Sequence, residues 1–131
     1  MKPFDNAEYS AEWFNFARQD LSSAKFLLGH HPLPIEIICF LCQQTAEKCL
    51  KGLLVINNVR PPKIHNLLEI CNLCTPLVSG IEEILPKCSV LNKYSVQPRY
   101  PYELPLNETD AKEAISYAEI VLAFTEAALP T

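Results

Sequence analysis

The sequence predicts an all-α protein, an antiparallel up-and-down bundle of about five helices, three long and two short. Apolar residues recur every three or four positions in several segments, which is the spacing of a half-buried helix. No segment shows the sustained alternation of a half-buried strand, and most prolines fall between the periodic segments. Since the chain has 131 residues and no internal repeat, we expect a single domain over residues 1–131.

The first two periodic segments predict the longest helices. One covers residues 10–28, with Ser10 as the N-cap and Gly29 just beyond the end. The other begins at Pro34 and runs to about residue 57, which corresponds to a length of ~36 Å at 1.5 Å per residue. A helix of that length is expected to form the centre of the bundle.

Shorter elements are predicted between the second helix and the last. A connector over residues 57–62 contains two prolines and precedes a short helix at 65–75. A further helix at 81–93 is kinked or split by Pro86. Residues 94–107 form a loop of a length that is usually functional. The last helix follows at 108–129, with Asn107 or Thr109 as its cap.

Composition excludes several classes of protein. Hydrophobic residues make up 49% of the chain and charged residues 20%, which excludes a disordered chain. Apolar runs stay short of the ~18 residues that a membrane span needs, and the N-terminus has no apolar signal segment. The sequence therefore predicts a cytoplasmic protein that does not enter a membrane.

The six cysteines are expected to be reduced thiols in the core. Two Cys-x-x-Cys pairs, Cys39 with Cys42 and Cys71 with Cys74, have the residue types of a structural zinc site. Both pairs lie on the apolar faces of predicted helices, where buried cysteine is common. We therefore predict no metal ion and no cofactor.

Basic residues are concentrated in two parts of an acidic chain. The net charge is −4, which argues against non-specific coating of nucleic acid. Seven of the eleven basic residues nevertheless lie at 48–63 and 87–99, and neither stretch contains an acid. The sequence thus predicts two local basic segments.

The second helix carries a polar face formed by Gln43, Gln44, Glu47, Lys48 and Lys51. In one interpretation this face is solvated and Glu47 forms an ordinary i,i+4 ion pair with Lys51. In the other, the same side chains form a binding site together with the loop. Helix physics alone favours the first interpretation.

The predicted loop contains Tyr94, Arg99 and Tyr100, with prolines on both sides of the Arg-Tyr pair. An arginine presents a planar fork to phosphate, and tyrosine rings offer faces for bases. The alternative is that Arg99 bridges to Glu47 or Glu103 and pins the loop to the bundle. The residues alone favour neither interpretation over the other.

Four motifs, taken in order, resemble the HEPN domain (higher eukaryotes and prokaryotes nucleotide-binding) over residues of about 10–128. They are a first-helix pattern beginning at Trp13, the run QQTAEKCLK at 43–51, His-Asn-Leu at 65–67, and LNKY at 91–94 followed by RYP at 99–101. The resemblance implies a helical bundle that forms a homodimer, cytoplasmic and prokaryotic. It also implies pairing with a minimal nucleotidyltransferase protein as half of a two-component or toxin–antitoxin system.

Some HEPN proteins are ribonucleases that use an arginine and, four to six residues later, a histidine near the last helix. In this chain no histidine follows Arg99, so the acid or base for attack on an RNA phosphate is missing there. Arg60 and His65 match the spacing as a string, but they lie where the connector leads into the short third helix and not at the last helix. RNA cleavage is therefore disfavoured, and RNA is not the favoured ligand.

The leading hypothesis is a non-catalytic HEPN protein that binds a nucleotide or its nucleotidyltransferase partner. A pure dimerisation and docking module is the alternative. The predicted binding residues are Gln44, Glu47, Lys48, Lys51, His65, Tyr94, Arg99 and Tyr100, with no catalytic residue among them.

Overall fold

The computed structural model describes residues 5–95 and 105–130. Helices α1, α2 and α5 are long, α3 and α4 are short, and a single 3-10 turn precedes α4. Their bounds are α1 Asn6–Leu27, α2 Ile35–Ile56, α3 Leu67–Cys74, the 3-10 turn Ile81–Glu83, α4 Leu85–Asn92 and α5 Glu108–Ala127. The described residues contain no strand, and the all-α prediction of three long and two short helices is confirmed.

Helices α1, α2, α4 and α5 alternate in direction, as an up-and-down bundle requires. Helix α4 runs antiparallel to α5, because the Lys87 ammonium lies 5.3 Å from the centre of the Tyr117 ring and Tyr94, just past the end of α4, lies near Asp110. Four pairs of side-chain contacts show that α1 runs antiparallel to both α2 and α5. They are Ser10 to Gly52 and Asp20 to Lys48 for α2, and Arg18 to Glu126 and Lys25 to Glu119 for α5. The short α3 is not one of these alternating helices.

Helix α2 is the central element, as its length predicted. It packs against α1, α3, α4 and α5. Every residue over 49–55 is buried, including Lys51 and Gly52. Because neighbours surround this half of α2, burial extends well beyond the single apolar stripe that the sequence suggests.

Helix α1 begins one turn earlier than predicted. Asp5 is its N-cap and accepts hydrogen bonds from the backbone N–H groups of Ala7 and Glu8. Ser10 lies inside the helix, where it is buried and its hydroxyl donates to the Gly52 carbonyl at 2.9 Å. The assignment of Ser10 as the cap was therefore wrong, because its hydroxyl bonds to α2 and not to its own helix.

The other helix ends follow from local sequence. Asn66 caps α3, so His65 lies just outside that helix and not within it. Pro86 occupies the first turn of α4, where a missing N–H costs nothing, and the predicted split is confirmed. Asn107 caps α5 in a capping box with Asp110.

All six cysteines are free and buried, which confirms their placement in the core. Burial raises the pKa of the Cys39 thiol to about 11, and those of Cys42, Cys49 and Cys74 to about 12. Such thiols remain protonated at neutral pH and act as small apolar side chains.

Two further properties concern the described ranges only. Over 5–95 and 105–130, no group of three or more His, Cys, Asp or Glu side chains is arranged to hold a metal ion. The helices in those ranges are also too short or too polar to cross a membrane.

Gly52 permits the close approach of α1 to α2. A Cβ at this position would lie 2.6 Å from Cε2 and 2.8 Å from Cδ2 of Phe14, whose ring is buried. We expect Gly52→Ala to lower the free energy of unfolding by about 1–2 kcal/mol, since overpacking exceeds the gain in helix propensity. Urea denaturation followed by circular dichroism measures this change.

Gly29→Ala is the matched control, because the nearest atom to a new Cβ there is the Phe26 carbonyl oxygen at 3.7 Å. Its effect should stay within about 0.5 kcal/mol. Equal stability of the two variants would contradict the close approach at Gly52.

Candidate functional site

A polar cluster, formed by Gln43, Glu47, Lys51 and His65, lies in the middle of the bundle. The first three residues are spaced four apart on α2 and therefore share one face of the helix. The Lys51 ammonium donates to Glu47 Oε2 at 3.1 Å, and the Gln43 amide donates to Glu47 Oε1 at 3.2 Å. Glu47 is the acceptor at the centre of the cluster.

His65 joins the cluster from the segment between α2 and α3, residues 57–66, which is the connector as the structure has it. Its Nδ1 lies 3.1 Å from both carboxylate oxygens of Glu47. Its backbone carbonyl accepts a second hydrogen bond from Gln43, at 3.1 Å. The imidazole side chain is 69% exposed, so Glu47 orients a ring that lies at the protein surface.

The charged pair in the cluster is buried. The side chains of Glu47 and Lys51 are only 6% and 7% exposed. The predicted ion pair is thus confirmed, but the expectation that this face is solvated was wrong. A charge is retained at such a position only with a partner, and Glu47 and Lys51 serve each other in this way.

A groove adjoins the cluster, and we call it the connector groove. It has a volume of about 720 Å³, within the usual range for small-molecule sites. Helices α1 and α2 and the connector contribute its lining residues, which are Tyr9, Trp13, Lys51, Val55, Asn58, Val59, Arg60, Pro61, Pro62 and Lys63. Lys51 belongs to both the polar cluster and the groove.

The end of α2 directs the connector back along the bundle to form one wall. Asn58 takes a left-handed conformation with φ of 62°, which asparagine tolerates better than most residues. The N–H of Asn58 bonds the Val55 carbonyl and the N–H of Val59 bonds the Leu54 carbonyl, a Schellman motif. Two prolines then follow, and their fixed φ stiffens this wall.

The groove is cationic and aromatic, and its lining contains no acid. Lys51 is neutralised by Glu47, and its ammonium also lies 5.8 Å from the centre of the Trp13 ring. Arg60 and Lys63 are exposed and form no ion pair with any residue in the described ranges. This arrangement is suited to a phosphate that carries an aromatic group.

Two predicted residues on α2 lie outside the groove lining. The Lys48 ammonium pairs with Asp20 of α1 and lies 5.9 Å from the centre of the Phe16 ring. The Gln44 amide donates to Gln43 at 2.8 Å, which links it to the edge of the polar cluster. The side chains of Lys48 and Gln44 are therefore both bonded to other residues of the protein.

The structure does not bring Tyr94 to the groove. Tyr94 is 6% exposed, and burial, together with the nearby Cys39 and Asp110, raises the pKa of its phenol above the usual range. Lys51 lies twelve residues after Cys39 on α2, about 18 Å away along the helix. Tyr94 is therefore a core residue at the opposite end of α2 and not a stacking surface beside Lys51.

Two of the predicted residues, Arg99 and Tyr100, lie outside the described residues. The prediction also omitted Trp13, Tyr9, Arg60 and Lys63, all of which line the groove. A usable signal was present, because Arg60 and Lys63 flank a Pro-Pro pair in the acid-free stretch 48–63.

The fold and the site define a class of protein, an all-α bundle whose second helix holds a Gln-Glu-Lys cluster against a histidine from the following connector. The HEPN domain model matches residues 10–128, and the chain belongs to the HEPN family. No curated protein matches the chain.

Two solved structures are similar over almost the whole chain. TT1696 from Thermus thermophilus is 30% identical with a TM-score of 0.78, and the match covers 92% of this chain and 98% of that one. ST0689, an archaeal HEPN homologue, is 27% identical with a TM-score of 0.68, over 90% and 95% of the two chains. The bundle is therefore that of the HEPN family.

We expect Glu47→Gln to destabilise the protein strongly, because it leaves the buried ammonium of Lys51 without a counter-charge. Breaking one side of a buried pair typically costs about 3–5 kcal/mol. The measurement is the free energy of unfolding in urea. Glu108→Gln is the matched control, since Glu108 forms the same i,i+4 pair with Lys112 on an exposed surface, at 3.5 Å.

The control should change stability by no more than about 0.5 kcal/mol. Similar losses in the two variants would show that burial does not distinguish the two pairs.

Proposed function

We propose that this HEPN-family protein binds a nucleotide in the connector groove and does not act on it chemically. Arg60 and Lys63 would contact phosphate, and Trp13 would pack against the base. Lys51 would add a third donor from the floor of the groove. Family membership, the volume of the groove and its lining residues support this assignment.

The observation that carries the proposal is the pair of unneutralised cations beside an indole ring. Elsewhere on α1 and α2 the cations face acids, as Lys48 faces Asp20 and Arg18 faces Glu126. Arg60 and Lys63 have no such acid among the described residues. An external anion is the partner that their charge favours.

The proposed site lies closer to the connector than the site predicted from the sequence, and the two share some residues. Lys51 remains a proposed ligand contact, whereas His65 lies in the adjoining polar cluster, against Glu47, and not among the residues that line the groove. Glu47 is buried and its oxygens are already engaged, so its role is to position both side chains. Arg99 and Tyr100 lie outside the described residues, and their part in binding stays a prediction from the sequence.

Nucleotide binding should change the fluorescence of Trp13, the single tryptophan of the chain. We expect titration with adenosine and guanosine nucleotides to quench or shift this emission. Arg60→Gln and Lys63→Gln should each weaken binding by about tenfold, the effect of losing one charge-assisted hydrogen bond. Lys112→Gln, an exposed lysine on α5 that pairs with Glu108, is the control and should leave affinity unchanged.

An unchanged emission across the nucleotide panel would count against the proposal if thermal stability were also unchanged. A ligand present at about 100 times its Kd should add ~2.7 kcal/mol to stability, which a melting curve detects.

Ribonuclease activity is a second candidate, and one observation favours it. The exposed ring of His65 has Nδ1 fixed against a buried carboxylate, an arrangement that suits a general acid or base. Arg60 lies five residues earlier, in the groove wall. Together they supply the residue types needed to move a proton and stabilise a phosphate.

An RNA cleavage assay without divalent metal distinguishes the two candidates. Non-catalytic binding predicts no cleavage by the wild-type protein. If the wild-type protein and Lys112→Gln cleave RNA and His65→Ala does not, the protein is a ribonuclease and the non-catalytic proposal is wrong.

The family resemblance also leads us to propose a homodimer, paired with a minimal nucleotidyltransferase protein in a two-component or toxin–antitoxin system. A nucleotide carried by that partner would reach the same groove. Co-purification of the two proteins tests the pairing, and light scattering tests the dimer.

A further inference from the structure

We propose that the connector groove selects the terminal phosphate monoester of a nucleotide over a phosphodiester. This inference rests on the proposed nucleotide site and specifies the ligand class within it. Three features of the groove support it: the number of unneutralised charges, the donor groups that carry them and the apolar character of the wall beside them.

The charge available to a ligand is smaller than the sequence suggests. Of the four cations over residues 48–63, Lys48 is neutralised by Asp20 and Lys51 by Glu47. Arg60 and Lys63 are left, and both line the groove. Counting only residues 5–95 and 105–130, the groove therefore presents two uncompensated positive charges.

Two positive charges match a phosphate monoester. A monoester carries a charge of about −1.5 to −2 at neutral pH and has three free oxygens. A diester carries one negative charge and has two free oxygens. The planar fork of Arg60 can engage two oxygens and the Lys63 ammonium a third, so the monoester uses donors that a diester leaves without a partner.

The wall beside Arg60 and Lys63 offers little to a second phosphate. Val55, Val59, Pro61 and Pro62 contribute apolar surface, and the prolines have no backbone N–H to donate. A polynucleotide would have to place successive phosphates against this surface. The geometry thus favours one anionic subsite at the end of a ligand over a track for a strand.

The test compares three ligands that share one base and ribose, namely adenosine 5′-monophosphate, its O-methyl phosphodiester and adenosine. Binding is measured by Trp13 fluorescence and, independently, by calorimetry. We expect the monophosphate to bind at least about tenfold more tightly than its methyl ester. The double variant Arg60→Gln, Lys63→Gln should lose this preference, while Lys112→Gln should retain it.

The outcomes separate this inference from the proposed function. Equal affinity for the monophosphate and its methyl ester would overturn the monoester preference and leave the nucleotide site standing. Equal affinity for adenosine and adenosine 5′-monophosphate would show that the phosphate does not contribute to binding, which also overturns the monoester preference. Binding of none of the three ligands, with melting temperatures unchanged, would overturn both proposals.

Discussion

The carboxylate of Glu47 is the group on which the site depends. It is buried at the centre of the bundle, and it accepts hydrogen bonds from Lys51 and Gln43 on its own helix. It also lies against Nδ1 of His65, which comes from a different segment. Because a buried carboxylate must satisfy its oxygens, this residue ties the connector to α2, together with the hydrogen bond from Gln43 to the His65 carbonyl.

The opposite side of the site depends on how closely α1 approaches α2. Gly52 leaves room for the Phe14 ring, and the Ser10 hydroxyl bonds the Gly52 carbonyl. That approach places Trp13 over the Lys51 ammonium, where the indole covers a charge that Glu47 neutralises from the other direction. Packing and electrostatics thus act on the same lysine, and together they place it at the floor of the groove.

Most of the fold could be predicted from the sequence because helical periodicity and helix-end chemistry are local signals. Pro86 acts through its own ring and missing N–H, and Asn107, one of the two predicted caps, acts through a hydrogen bond to the nearby Asp110, so both signals are local. Ser10 was misplaced because its hydroxyl bonds to a residue 42 positions away, and no local pattern contains that partner.

The site was harder to predict for the same reason. Lys51 and Glu47 were paired correctly, but their burial depends on helices and a connector that pack around α2 from distant parts of the chain. Trp13 was identified only as the start of the first-helix motif, since nothing in its own segment shows that it faces Lys51. A lysine enclosed by apolar residues, as in Cys-Leu-Lys-Gly-Leu-Leu at 49–54, was the available sign of burial.

The acid-free stretch 48–63 shows why a count of charges along the sequence overstates a basic surface. Its first two lysines are neutralised in three dimensions by Asp20 from α1 and by Glu47, which lies just before the stretch. The second pair, Arg60 and Lys63, lies past the end of α2 and forms an ion pair with neither of these acids. Within the part of the chain that the structure describes, folding therefore converts a run of four cations into a smaller site of two, and a smaller charge at a defined position favours a specific ligand over non-specific attraction.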